Sequence, residues 1–159
     1  PPGRRPFDLR QAKGNGTAVV AFDAVTGEQK YAVGDELASY ASPVVATLNG
    51  KRVGLHFARG GLLGFDPKEG KELFHVPWRA KILESVNAAN PVVAGDKVLL
   101  TESYEKGAVC LRLPAGGKPE VVWSDADADR LDKALLGHWC TPVADGGVVY
   151  GCHGRHTNE

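Results

Sequence analysis

Short apolar runs alternate with turn residues along this chain, the pattern of many strands rather than of a few long helices. Ala18 to Phe22 runs into Asp23, Thr26 and Gly27, and a second extended segment follows to Tyr31. The Asp23 carboxylate and Thr26 hydroxyl suit bonds to nearby backbone amides, and Gly27 supplies the positive φ that such a turn requires. The same grammar returns from Leu62 to Phe74, where Phe65, Asp66 and Gly70 stand 43 positions beyond Phe22, Asp23 and Gly27. That offset is a repeat period.

A second marker confirms the repeat. Ser42-Pro43-Val44-Val45, Asn90-Pro91-Val92-Val93 and Thr141-Pro142-Val143-Ala144 share a small polar residue, a proline and an apolar pair, with prolines 48 and 51 residues apart. Each leads to a hairpin signal (Asn49-Gly50, Gly95-Asp96, Asp145-Gly146-Gly147) and then to a second apolar strand. A period of about 40 to 50 residues with four short strands is the signature of a β-propeller blade.

With the strands of a blade lettered A (inner) to D (outer), the expected fold is an all-β, incomplete propeller arc of four-stranded antiparallel blades. A half blade at 17–31 supplies C and D, complete blades span 42–75 and 90–123, and a half blade at 140–152 supplies A and B. Residues 1–16 are expected to be an extension or the remnant of a preceding strand, and 17–159 the partial propeller. Runs such as Val98-Leu99-Leu100 are apolar at every position, which implies cover on both faces. The third copy, Cys110 to Gly117, lacks the aspartate, so its turn is expected to be held differently. Ser124 to Leu136 reads either as a short helix, with a capping serine or aspartate and a stop at Gly137, or as an irregular loop.

Composition adjusts this picture only slightly. The 159 residues contain 20 glycines, 10 prolines and no methionine, which suits turns and short strands. Equal acidic and basic counts, 19 each, argue against nucleic acid as the main partner. No apolar run approaches the roughly 20 residues of a membrane span. A first residue other than methionine, and Pro1 to Arg5 with no apolar segment behind them, point to a processed or excised piece. Three cysteines do not suggest a disulfide scaffold.

Ala21-Phe22-Asp23-Ala24-Val25-Thr26-Gly27-Glu28-Gln29-Lys30-Tyr31 resembles the repeat of pyrroloquinoline-quinone (PQQ) type β-propellers, Ala-x-Asp-x-x-Thr-Gly-x-x-x-Trp, with Tyr31 at the tryptophan position. Asp66, Gly70 and Phe74 match the same pattern. Ala38 to Val45 and Gly60 to Asp66 look especially like the bacterial PQQ-binding-like repeat proteins, and this resemblance implies a periplasmic or extracellular location. It also implies two functions, since the family includes quinoprotein alcohol dehydrogenases and a lipoprotein scaffold for outer-membrane protein assembly. The dehydrogenases share an adjacent-cysteine pair and a calcium cluster over the quinone. This sequence shows neither, so no cofactor is expected in this piece, with PQQ and calcium the less favoured alternative.

Candidate chemistry falls on the rim where the loops entering strand A meet the loops joining B to C, close to the central channel. The entering loops offer Tyr40, Ser42, Asn87, Asn90, His138 and Trp139. The B to C loops offer His56, Arg59, Glu102, Tyr104, Arg155 and His156. Such a rim suits a small polar ligand or a protein segment, and the bland alternative is a set of solvated loop residues. His138, Cys140, Cys152 and His156 would share one face, as a zinc site or a disulfide, only if the Asp145-Gly146-Gly147 turn has a three-residue loop. A two-residue loop shifts the register by one and spoils both, leaving ordinary buried thiols. Asp125, Asp127 and Asp129 imitate a calcium loop, but Arg130 and Leu136 stand where glycine and a bidentate glutamate are needed.

The favoured expectation is therefore a non-catalytic binding or scaffold propeller. The alternative is a fragment of a PQQ-dependent dehydrogenase-like enzyme whose catalytic residues lie elsewhere. Open strand edges would be sticky, and the complementary half blades would let two chains share blades in a six-bladed ring, unless the remainder of a longer propeller covers them.

Overall fold

The computed structural model describes residues 15–155. Val19–Phe22 (β1) and Gln29–Val33 (β2) form a two-stranded antiparallel sheet. Val44–Leu48 (β3), Lys51–Phe57 (β4), Gly61–Asp66 (β5) and Lys71–Pro77 (β6) form a four-stranded meander. Val92–Ala94 (β7), Lys97–Thr101 (β8), Ala108–Arg112 (β9) and Glu120–Ser124 (β10) form the next, and Val143–Asp145 (β11) pairs with Val148–Tyr150 (β12). Two complete blades between two half blades make an incomplete propeller arc.

The Asp-Gly turns explain how sequence becomes blade. Asp23 Oδ1 accepts from the amides of Val25 and Thr26, both at 3.0 Å. Asp66 Oδ1 accepts from Lys68 and Glu69 at 2.7 and 3.0 Å. In each turn the glycine amide reaches back to the aspartate carbonyl, and Gly27 (φ 76°) and Gly70 (φ 67°) are left-handed. The third copy turns differently: Gly117 donates to the Pro114 carbonyl with Gly116 at φ 73°, a type II turn that needs no aspartate.

Each of the three outer strands, β2, β6 and β10, carries one bulge, after which an aromatic residue lies across from a small partner. Tyr31 faces Ala21, Phe74 faces Gly64 and Trp123 faces Cys110. These three aromatics are equivalent.

Strands covered on both faces bury alternate residues in different cores. On β9, Val109 and Leu111 join the core between the complete blades, while Ala108 and Cys110 join the core toward β11. On β5, Leu62 faces the later blade and Leu63 and Phe65 face the first sheet. Stacking therefore accounts for the uninterrupted apolar runs, and each fully buried leucine or phenylalanine contributes about 1.5–3 kcal/mol.

Of the segment read as helix or loop, Ser124 ends β10 and Asp125 to Leu136 form an irregular loop with one 3-10 turn, Arg130–Asp132. Side chains hold the loop more than helical bonds do. The Asp125 carboxylate accepts from the amides of Ala108 and Ala134, and the buried Lys133 ammonium donates to the carbonyls of Asp125, Ala126 and Ala128.

Candidate functional site

In the small-polar-proline markers, side chains form a ladder between blades. Asn90 Oδ1 accepts from the Ser42 amide at 2.6 Å, and Thr141 Oγ1 accepts from the Asn90 amide at 3.0 Å. Asn90 and Thr141 thus each bond the equivalent residue of the preceding blade. Asn87 also ties blade to blade. It is buried and donates from Nδ2 to the carbonyls of Ala58 and Trp78, while its own amide donates to Ser39 Oγ. Asn87 and Asn90 hold the entering loops in place.

Several B to C loop residues are committed in the same way. The Glu102 carboxylate, 1% exposed, accepts from the amides of Tyr104, Glu105, Lys106 and Gly107, so it organises its own loop. Arg59 donates to the Leu83 carbonyl at 2.7 Å, and Arg79 reaches the same oxygen at 3.1 Å. Burial, and then the neighbouring Arg59 charge, lowers the Arg79 pKa from its ordinary value. His56 is buried on β4, and desolvation lowers its pKa against the opposing pull of Glu36.

Five of the expected rim residues come together on the surface. Tyr40 meets Trp139 edge to face with ring centroids 4.9 Å apart, and Trp139 meets His138 at 4.7 Å. His138 meets Tyr104 at 5.4 Å, with Nε2 3.3 Å from the phenol oxygen, and Arg155 lies over the Tyr104 ring at 4.8 Å. The result is a strip of four rings and a guanidinium drawn from three blades. Tyr40 is 66% and Trp139 53% exposed, so the strip is open to solvent at its Tyr40 end.

A rigid base holds the strip. Thr101 Oγ1 donates to the Leu135 carbonyl and accepts from the Gly137 amide, and Gly154 donates to the Leu136 carbonyl. Buried Leu136 anchors the segment immediately before His138 and Trp139. Exposed edges and faces of aromatic rings recognise partners by stacking and apolar burial, and a guanidinium adds a charged hydrogen-bond donor.

The Asp145–Val148 hairpin closes through a two-residue Gly146-Gly147 loop, with Ala144 opposite Val149. This is the register that separates the faces of Cys140 and Cys152, and both are free thiols that are exposed rather than buried as expected, because the hairpin that carries them lies at the surface. His156, the remaining member of that cluster and of the rim set, lies outside the described residues. Among the described residues no three His, Cys, Asp or Glu side chains converge on a point where a cation could sit. Sequence reasoning missed Glu36 and His75, whose contacts join residues far apart in the chain and leave no local pattern.

Residues 9–155 match the family model described as outer membrane protein assembly factor BamB, a PQQ-like repeat. The chain belongs to that family. The match covers all the described strands, so the repeats, the Asp-Gly turns and the aromatic positions are those of a PQQ-like propeller. No curated protein and no solved structure matches the chain. Among the described residues no helix is long and apolar enough to cross a membrane.

Proposed function

We propose that this chain is a non-catalytic binding segment of a PQQ-like propeller that presents the strip Tyr40–Trp139–His138–Tyr104–Arg155 to a protein partner on the periplasmic side of a bacterial envelope. The carrying observation is the strip itself: large rings open to solvent at the Tyr40–Trp139 end, on a rim where Arg59, Asn87, Asn90 and Glu102 are engaged in backbone bonds. Aromatic and arginine side chains on a rigid base are the groups that dominate protein-binding hot spots. The family's description as an outer-membrane assembly factor supports a protein ligand. An extended segment fits best, because its alternating side chains can lie over successive rings.

Selection of a displayed random-peptide library against the purified protein tests this reading. Enriched peptides are expected to change tryptophan emission on binding and to lose about tenfold or more in affinity when Trp139→Ala or Tyr40→Ala is introduced. Binders indifferent to both substitutions would overturn it. Quinone absorbance with calcium-dependent dye reduction by the purified protein would favour the dehydrogenase alternative.

A further inference from the structure

Two arginines converge on one backbone oxygen. Arg59, in the B to C loop of the first complete blade, and Arg79, just past β6, both donate from Nη2 to the Leu83 carbonyl. Sharing that oxygen at 2.7 and 3.1 Å keeps the two nitrogens within about 6 Å of each other, where like charges repel unless an anion bridges them. Among the described residues no ion pair joins either arginine to a carboxylate. Glu36 is the acid whose charge opposes the lowering of the Arg79 pKa, and its oxygens are already given to the Gly60 amide and His75 Nε2.

Neighbouring donors are also unmatched. Both arginine Nε atoms, with Trp78 Nε1 and Ser85 Oγ on the same connecting segment, are enclosed and have no hydrogen-bond partner. Arginine and indole nitrogens only donate, so what this part of the molecule lacks is an acceptor. A third cation borders it, since Lys106 Nζ stands over the Trp78 ring at 5.3 Å. Glu105, the acid on that loop, is taken by the Lys81 amide at 2.7 Å.

Shape and surroundings select the anion. The enclosed Nε atoms mean that both arginine stems are packed, so the forks are held in place before a ligand arrives. A planar carboxylate offers two oxygens to two such forks. Ile82 and Leu83, each 40% exposed, border the pair and can cover the aliphatic part of a peptide, which a bare inorganic anion would leave in water. Location fits as well. The Arg59 amide donates to the Leu37 carbonyl, and Asn87, whose Nδ2 lies 3.4 Å from the Arg59 carbonyl, takes the Tyr40 amide on its own carbonyl. The pair thus adjoins the loop that carries Tyr40.

We propose that Arg59 and Arg79 form a seat for a carboxylate carried by a protein segment whose apolar flank lies on Ile82 and Leu83. The seat stands on its own geometry and does not require the aromatic strip to bind a partner.

NMR of the Arg59 and Arg79 Nε–H resonances in the 159-residue chain tests it. The probes are an acetylated leucine-alanine peptide with a free C-terminal carboxylate, the same peptide amidated, the amidated peptide with one alanine replaced by glutamate, and inorganic phosphate at equal ionic strength. A carboxylate-bearing peptide is expected to shift both resonances to saturation and the neutral peptide neither, and the tighter of the two acidic peptides identifies a C-terminus or a side chain as the source. Arg59→Gln or Arg79→Gln is expected to weaken that binding about fivefold or more, and Arg59→Lys less than Arg59→Gln, because lysine keeps the charge without the fork. Each single variant leaves the Leu83 carbonyl one arginine donor, so the segment keeps its tie. Resonances unmoved by both acidic peptides, an equally tight response to phosphate, or undiminished binding in both glutamine variants would overturn the carboxylate seat.

Discussion

The junction between the first sheet and the first complete blade differs from the junction between the two complete blades, although one repeat builds both. The first has a small core of four buried residues, Val19, Val33, Leu63 and Phe65. Polar locks add to it: the Tyr31 hydroxyl donates to the Pro67 carbonyl at 2.8 Å, and the Glu36 carboxylate takes the Gly60 amide and His75 Nε2, each at 2.8 Å. The second junction buries eleven residues, including Leu55, Phe57, Leu62 and Val98. Its hydrogen bonds are neutral, from Asn49 Nδ2 to the Leu113 carbonyl, from the Ser42 amide to Asn90 Oδ1 and from Asn87 Nδ2 to the Ala58 carbonyl. There the aspartate turn is missing, and a cavity of about 210 Å³ lies between Phe74 and the Pro114–Gly117 turn. A large apolar core thus tolerates a loose turn, whereas a small core depends on close fit and directed bonds.

The largest effect expected from this contrast comes from paired glycine substitutions. Gly70→Ala imposes a left-handed φ on alanine and also drives a methyl into the Tyr31 ring, so a loss of about 2–4 kcal/mol is expected. Gly116→Ala meets the same backbone penalty in open space, and about 1–2 kcal/mol is expected. Urea midpoints at unchanged slope measure both. Equal losses would mean that the Tyr31–Gly70 contact is no tighter than the turn of the third copy.

Removing one hydroxyl probes the polar lock alone. Tyr31→Phe keeps the ring over Gly70 and deletes the bond to Pro67, for an expected cost of about 1 kcal/mol. If the variant matches the parent in thermal and urea unfolding, ring packing by itself holds the first junction, and the two junctions differ less than their bonds suggest.

The all-β fold was legible because its signals are local. Asn49-Gly50, Asp66 with Gly70, and the three small-polar-proline markers each act within a few residues, and their spacing alone announces blades. The rim was legible only as a neighbourhood. Proximity of Tyr40 to Trp139 depends on the meeting of loops from blades two apart, a relation that no local pattern encodes. For the same reason Asn87, Asn90 and Glu102 read equally well in sequence as ligand groups or as loop supports, and only the positions of the backbone amides and carbonyls they meet distinguish the roles. The fate of Cys140 and Cys152 turned on one residue of hairpin register, which Asp145-Gly146-Gly147 leaves open.

The smallest expected effect is also the most selective, because titrating histidines lie at the first junction. His56, Leu63 and His75 form one cross-strand row, with Leu63 in the core toward the first sheet. His75 is held above the usual histidine range by the Glu36 carboxylate, and Glu36 is held below the usual carboxylate range chiefly by His75. His56 shifts the other way, lowered by burial. A raised His75 stabilises the fold fully below the unfolded value of about 6.5 and loses that contribution as pH rises through its folded pKa. A lowered His56 contributes above about 6.5 and loses its contribution as pH falls through its folded pKa. Lowered Glu36 contributes above about 4.3 and loses its share as pH falls further. The Glu36–His75 pair therefore counts most near pH 5.5, between the two unfolded values of about 4.3 and 6.5. His75→Gln is expected to cost up to about 1 kcal/mol there and less above neutrality, since the pair is only partly buried. What remains in His75→Gln is the His56 dependence, so the variant should lose stability more steeply than the parent as pH falls from about 7.5 to 5.5. Urea unfolding across that range decides it: parallel curves would remove the pair from the first junction's stability and leave its small core and the Tyr31 contact to hold the first sheet.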